Sequence, residues 1–224
     1  MPQRYNCTLE VQKSTNNMFI HNLLWLIAKT GLMFCNPFVI LGLILIGFLS
    51  GREKIFVHAL FLVLFTVTYN LYLKTIFKVP LPPPLEGFAF PSGHMHSAVI
   101  FWGWLALKYP ATWARGGIVL MLTFAGYGLV YEGYHYPIDI LGSLAFGSLT
   151  LIIYKRLTQI QRFQIQPYLL GVILCLINMG LIFMLPIALR KPPIWVACGG
   201  LIGLTSGWFV GLRQASSSLA VSDP

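Results

Sequence analysis

Charge is what this chain has least of. Of 224 residues, 9% are Asp, Glu, Lys or Arg, while 57% are hydrophobic. Soluble domains are typically about 25% charged. So little charge cannot cover a folded surface in water. This excludes an ordinary soluble domain and makes the bilayer the natural solvent. Acids are the scarcer sign, 6 against 15 Lys and Arg, which leaves a formal charge of +9. In a soluble protein that imbalance would point to nucleic acid. Here the cations fall in short gaps between apolar runs, the pattern that orients membrane proteins, so nucleic acid is not an expected partner.

Cysteine is also sparse. Cys7, Cys35, Cys175 and Cys198 show no paired spacing, which argues against a disulfide framework or a metal knuckle. Three of them sit in apolar runs and read as small buried hydrophobes. No cofactor or structural metal is implied. No internal repeat or low-complexity tract stands out. The first seventeen residues are polar and mixed, so a cleavable leader is not expected.

What the chain does have is apolar runs. A spanning helix needs about 20 such residues. Six runs approach that length, at 32–50, 55–77, 95–111, 113–131, 138–154 and 168–187, and another covers 193–212. The expected fold is therefore all-α: an integral membrane helical bundle of six core spans with a seventh C-terminal span, residues 1–224 forming a single membrane domain. Segment 18–31 is apolar but short and interrupted by Lys29. It reads as an amphipathic interfacial helix or as the tilted start of the first span.

Two gaps differ from the rest. Residues 78–87 carry four prolines, Pro80, Pro82, Pro83 and Pro84, which forbid a helix and impose an extended loop. Residues 131–137 are rich in aromatics and include Glu132 and His135. Alternating the spans puts Arg52, Lys54, Lys108, Arg115, Lys155, Arg156, Arg162 and Arg213 on one face. The other face receives Lys74, Lys78, Arg190 and Lys191, joined by Arg4, Lys13 and Lys29 if the N-terminus lies there. The richer face should be cytoplasmic. His94 and His135 are 41 residues apart, one span out and one back, so both belong on the opposite face. That face would be periplasmic or exoplasmic, in a cell inner membrane.

The chemistry-bearing residues cluster there. Pro91-Ser92-Gly93-His94 stands just before an apolar run. Ser92 suits an N-cap and Gly93 permits close backbone approach. The free amides and dipole of a helix start favour an anion, with His94 beside it to move protons. Unaided, this is equally the start of an ordinary capped helix. In His135-Tyr136-Pro137-Ile138-Asp139, Pro137 suits a first helical position and Asp139 falls in the first turn. A carboxylate there can hold one imidazole nitrogen of His135 and leave the other free as a nucleophile. His96, two residues beyond His94, points away from it on a helix and reads as a packing residue; His21 and His58 read as interfacial or core histidines.

Lys74, Pro91-Ser92-Gly93-His94, Val130-Tyr131 and His135-Tyr136-Pro137-x-Asp139, in that order, resemble the phosphatidic acid phosphatase type 2 superfamily. The resemblance covers about residues 55–155, which it marks as the catalytic core. It implies a six-span bundle in which His135 attacks phosphorus, Asp139 orients it and His94 protonates the leaving oxygen. It also implies that Lys74 and the amides near Ser92 and Gly93 hold the phosphate of a lipid-linked substrate, with no metal. Lys78 and Glu132 are further candidate substrate contacts.

Two departures stand out. Val79-Pro80-Leu81-Pro82 and Gly128-Leu129 occupy the places where the family usually carries arginines. Three explanations compete. The substrate is a phosphodiester, with one negative charge and less need of arginine, as in head-group transferases such as the sphingomyelin synthases; or cations such as Lys78, Arg190 and Lys191 substitute; or the site binds without turning over. Outside the resemblance, a metal-dependent hydrolase using Glu86, His94, His96, Glu132, His135 and Asp139, or a lipid-binding or transporter-like bundle, remain the alternatives.

Overall fold

The computed structural model describes residues 18–109, 111–166 and 168–211, side chains included. The readings for Cys7, Arg4, Lys13, Arg213 and the first seventeen residues lie outside the described residues. Within them the architecture is all-α. The helices are α1 (Met18–Phe34), α2 (Pro37–Leu49), α3 (Glu53–Phe77), α4 (Gly93–Lys108), α5 (Thr112–Tyr131), α6 (Pro137–Thr158), α7 (Gln161–Ile165), α8 (Tyr168–Met184) and α9 (Pro192–Gly211). By length and composition α3, α5, α6 and α9 can cross a membrane, and α1 with α2 makes a fifth candidate if the pair is one span. Such helices fit an integral membrane protein.

The run at 32–50 does not form one straight span. It breaks between α1 and α2, whose axes differ by 52°. The cause is local. Asn36 caps α2 with its side-chain oxygen, accepting the Phe38 amide at 2.9 Å, and Pro37 takes the first helical position, where its missing N–H costs nothing. The 13 residues of α2 alone extend only about 20 Å, short of a hydrocarbon core of about 30 Å. Segment 18–31 belongs to α1.

With 16 residues, α4 is shorter than a typical span. It is also enclosed on most sides, packed against α2, α3, α5 and α6. Its Ile100, Phe101 and Trp104 are fully buried, and the Trp104 indole donates to Ile55 O at 2.9 Å. A helix shielded by its neighbours meets little lipid, so its length is not dictated by bilayer thickness.

Helices in lipid gain little from apolar burial alone, so close backbone approach through small residues matters more. The contact between α1 and α5 is of this kind. A Cβ on Gly128 would lie 2.5 Å from Ala28 O, so only glycine allows α1 to seat there. At the other side of the bundle α8 and α9 pack on α3, with Phe61, Leu170 and Leu201 buried between them.

The proline-rich segment ends α3 as its chemistry requires. Lys78 adopts a left-handed conformation (φ 51°) and caps the helix. The chain then folds back on itself as a flap, with the Ala89 amide bonded to Val79 O at 2.7 Å and the Leu81 amide to Gly87 O at 3.1 Å. The ends of α3 and α5 and the starts of α4 and α6 are thereby gathered at one end of the bundle. A direct bond seals this: the Ser92 amide donates to Asp139 O at 3.2 Å.

Candidate active site

His135 precedes α6 in the turn after α5 and is 8% exposed. Its Nδ1 lies 3.2 Å from Asp139 Oδ2, and that oxygen also accepts the Tyr136 amide at 2.8 Å. A carboxylate only accepts, so Nδ1 carries the proton and Nε2 is left with its lone pair. Asp139 is fully buried in the first turn of α6, where the helix dipole favours its charge. Burial holds the His135 imidazole below its ordinary pKa; the Asp139 hydrogen bond opposes this, and the positive charges of Lys74 and His94 add to it. The ring is therefore neutral at pH 7.

His94 is the second residue of α4 and, unlike His135, is exposed. Both histidines line one cavity of about 850 Å³, together with Lys74 and Gly93. Lys74 Nζ donates to Phe88 O at 2.7 Å, which ties the flap to α3 and leaves the ammonium at the cavity edge. The Gly93 and His94 amides have no partner among the described residues. Two free amides at a helix start, with a lysine opposite, make a receptor for an oxyanion.

Three of the candidate residues lie elsewhere. Ser92 is fully buried: its hydroxyl faces the Met95 amide at 3.5 Å as the cap of α4, and its amide is engaged by Asp139 O. It shapes the site without offering a donor to the cavity, so the amides left free at the start of α4 are those of Gly93 and His94. Lys78 is exposed at the cap of α3 and does not line the cavity. Glu132 accepts from Lys29 of α1 at 2.9 Å and does not line it either. The metal-binding set does not assemble. Among the described residues no three His, Cys, Asp or Glu side chains come together to hold an ion, His96 being turned into the core and Glu132 held by Lys29.

The arginine-free positions do converge. Leu81 from the flap and Leu129 from α5 both line the cavity, so its wall is apolar at both places. Arg190 does not compensate, since its guanidinium bonds to Leu185 O at 3.1 Å and Phe183 O at 3.0 Å at the end of α8. Lys191 is exposed and is not part of the wall.

Two supporting residues escaped the sequence reading. Asn70, one turn before Lys74 on α3, donates from Nδ2 to Pro91 O at 3.2 Å and to His96 Nδ1 at 3.1 Å. It thereby ties α3 to the loop that launches α4. The Ser143 hydroxyl on α6 reaches Ser92 O at 2.9 Å and Asp139 O at 2.8 Å and shares its proton between them. Both residues sit in apolar runs, and their only sequence signal is that they are polar residues in a membrane helix, which rarely lack a purpose. His58 is half-buried at the opposite end of the bundle, its Nδ1 2.7 Å from the Tyr154 hydroxyl.

The cavity runs deep. Thr66, eight residues before Lys74 on α3, lines it about 12 Å below the lysine. Leu32, Cys35 and Asn36 at the α1–α2 break close that end. An anion receptor at the mouth of a long, mostly apolar cleft suits an amphiphile.

Residues 35–163 match the family model described as the PAP2 superfamily, a span that contains Lys74, the flap, both histidines and Asp139. No curated protein and no solved structure matches the chain. The family match covers more than half of the residues, and the chain belongs to the PAP2 superfamily.

Proposed function

We propose that this protein is a membrane-embedded phosphatase or phosphotransferase acting on a lipid-linked phosphate through a phosphohistidine. Superfamily membership supports phosphatase-type chemistry on a lipid phosphate in general terms. The observation that carries the finer reading is the pairing of His135 and His94 on one cavity, with Asp139 behind the first and Lys74 beside them.

In this reading His135 Nε2 attacks phosphorus, an N–P bond forms and the bond to the leaving oxygen breaks. His94, as imidazolium, delivers its proton to that oxygen. His94, now neutral, takes a proton from water, or from an acceptor alcohol, as the oxygen attacks and the N–P bond breaks. Lys74 and the Gly93 and His94 amides stabilise the charge that develops on the phosphoryl oxygens. The apolar depth of the cavity accommodates the lipid.

The apolar wall at Leu81 and Leu129 favours a phosphodiester, or a pyrophosphate esterified at both ends so that the attacked phosphorus carries one charge, over a monoester. A monoester brings nearly two charges to a site with one lysine. Each missing charge-assisted hydrogen bond is worth about 1.5–3 kcal/mol. The site would face the periplasm or exterior. In support, Arg52 bonds to the Tyr109 hydroxyl at 2.7 Å, joining the α2–α3 and α4–α5 turns at the opposite, cation-rich end.

The test is turnover of matched lipids by the purified protein. A panel of phosphodiester, pyrophosphate and monoester lipids with the same chains is incubated with wild type and with His135→Ala. Release or transfer of the phosphoryl group by wild type, with an acid-labile label that His135→Ala lacks, is the expected result. Undiminished turnover by His135→Ala would overturn the reading.

A further inference from the structure

At the end of the bundle remote from His94 and His135, two cavities adjoin, sharing Lys155 and Gln159. The first, of about 560 Å³, opens between α4 and α6. Its wall is formed by Gly103, Leu107, Leu151 and Ile152 with one polar residue, Ser148, and its rim carries Lys155, Arg156 and Gln159. The second, of about 430 Å³, adds Lys108 from α4 and Gln164 from α7. No carboxylate lines either one. Among the described residues the ion pairs are Lys29–Glu132 and His135–Asp139, so these three cations have no anionic partner there.

Helix dipoles do not account for the excess. Lys108 ends α4, and Lys155 and Arg156 lie in the last turn of α6, where the carbonyl ends favour positive charge. Each helix end amounts to only about half a negative charge. Two such ends offset about one of the three cations. Leu170, in the first turn of α8, lines the second cavity and brings a helix start, hence partial positive charge, to the same place. Lys108 lies over the Trp104 ring, 4.4 Å from its centroid, which orients the ammonium without neutralising it.

We propose that this groove is a binding site for an acidic phospholipid of the leaflet opposite the active site. Its phosphate sits at Lys155, Arg156 and Gln159, and an acyl chain follows Leu107, Leu151 and Ile152. Ile152 is 58% exposed on the outer face of α6, so the apolar wall runs directly onto the lipid-facing surface. Basic rim and apolar wall together match an anionic amphiphile, and basic recesses between membrane helices are suited to anionic head groups. Leu107 follows His94 by thirteen residues of α4, about 20 Å, so the site is distinct from the catalytic cavity.

The experiment uses the full chain with His135→Ala, so that no lipid is turned over. Binding of phosphatidylglycerol, phosphatidylcholine and inorganic phosphate is measured separately by native mass spectrometry and by the shift in Tm. The part of binding and of the rise in Tm that depends on Lys155 and Arg156 should be seen with phosphatidylglycerol and not with phosphatidylcholine or inorganic phosphate, whatever the active-site cavity also takes. Lys155→Gln with Arg156→Gln should weaken phosphatidylglycerol binding about 25-fold, at roughly fivefold per basic residue. Lys155→Arg with Arg156→Lys should restore it, which separates charge from folding, since both residues are exposed. Unchanged phosphatidylglycerol binding in the Gln pair would place the lipid elsewhere and overturn the proposal. Equal binding of phosphatidylcholine would remove the role of the cations. Equal binding of inorganic phosphate would make this an ion site and not a lipid site.

Discussion

His135 Nδ1 and Asp139 Oδ2 stand 3.2 Å apart, and the same carboxylate oxygen takes the Tyr136 amide at 2.8 Å. The carboxylate thus fixes both the ring and the backbone that carries it. Asp139→Asn can still accept from Tyr136, so the loop should hold. The imidazole keeps only a neutral acceptor and loses the negative charge that stabilises it during attack. Turnover should fall about 100- to 10,000-fold while Tm changes little. Steady-state rates together with thermal unfolding in detergent check this. A variant with near wild-type rate would show that Asp139 serves the fold alone.

The pH profile follows from the same pair. Burial lowers the His135 pKa, and Asp139 partly restores it. Attack needs the neutral ring, so the acidic limb of kcat/KM should lie below about 6.5, the ordinary histidine value. Asp139→Asn removes the raising influence, so its limb should move further toward acid as its rate drops. The linkage to stability has the matching sign. A histidine with a lowered folded pKa binds its proton more readily when unfolded, so its contribution is present above about 6.5 and is lost as pH falls through the folded value. A limb that moves toward neutral pH in Asp139→Asn would contradict the electrostatics.

Leu81 and Leu129 both line the cavity but differ in room. Leu129 is 2% exposed and packs in a cluster with Cys35 and Met95, whereas Leu81 sits on the flap and is half-buried. Leu81→Arg is therefore the better graft. One added guanidinium contact of about 1.5–3 kcal/mol should raise the monoester-to-diester ratio of kcat/KM about 10- to 150-fold. Parallel assays on lipids with identical chains measure it. An unchanged ratio would mean that charge at this wall does not select the substrate.

Glu132 is held by Lys29 and stays out of the cavity wall. Glu132→Gln should leave KM within about twofold, as expected for a partly exposed ion pair. A KM that rises tenfold with kcat preserved would return Glu132 to the substrate-binding set.

Gly128→Ser tests the seating of α1. The new Cβ would meet Ala28 O at 2.5 Å, backbone that cannot rotate away. Overpacking of this kind costs about 1–3 kcal/mol. A lowered Tm is expected, and Gly180→Ser, at a glycine with open space around it, serves as the control with Tm unchanged.

Several features could be read directly from the residues. Apolar runs of about bilayer length have no stable state in lipid but helices, and prolines at 80–84 leave no option but a loop. Pro91-Ser92-Gly93-His94 and His135-x-x-x-Asp139 carry their geometry locally, through a cap and through one helical turn. Only the tertiary structure decided which side of each helix faces which neighbour. A helix that is hydrophobic all round gives little sign of its inward side. For that reason Asn70 and Ser143 went unnoticed, and the run at 32–50 concealed a break. Nothing near Glu132 in the chain announces Lys29, 103 residues away. The same holds for Ser92, whose amide is engaged by a carbonyl that only folding brings within 3.2 Å. Caps, breaks and periodicity act within a few residues, whereas the cavity is made of residues from six helices, a flap and the turn before α6, joined by packing that no local pattern encodes.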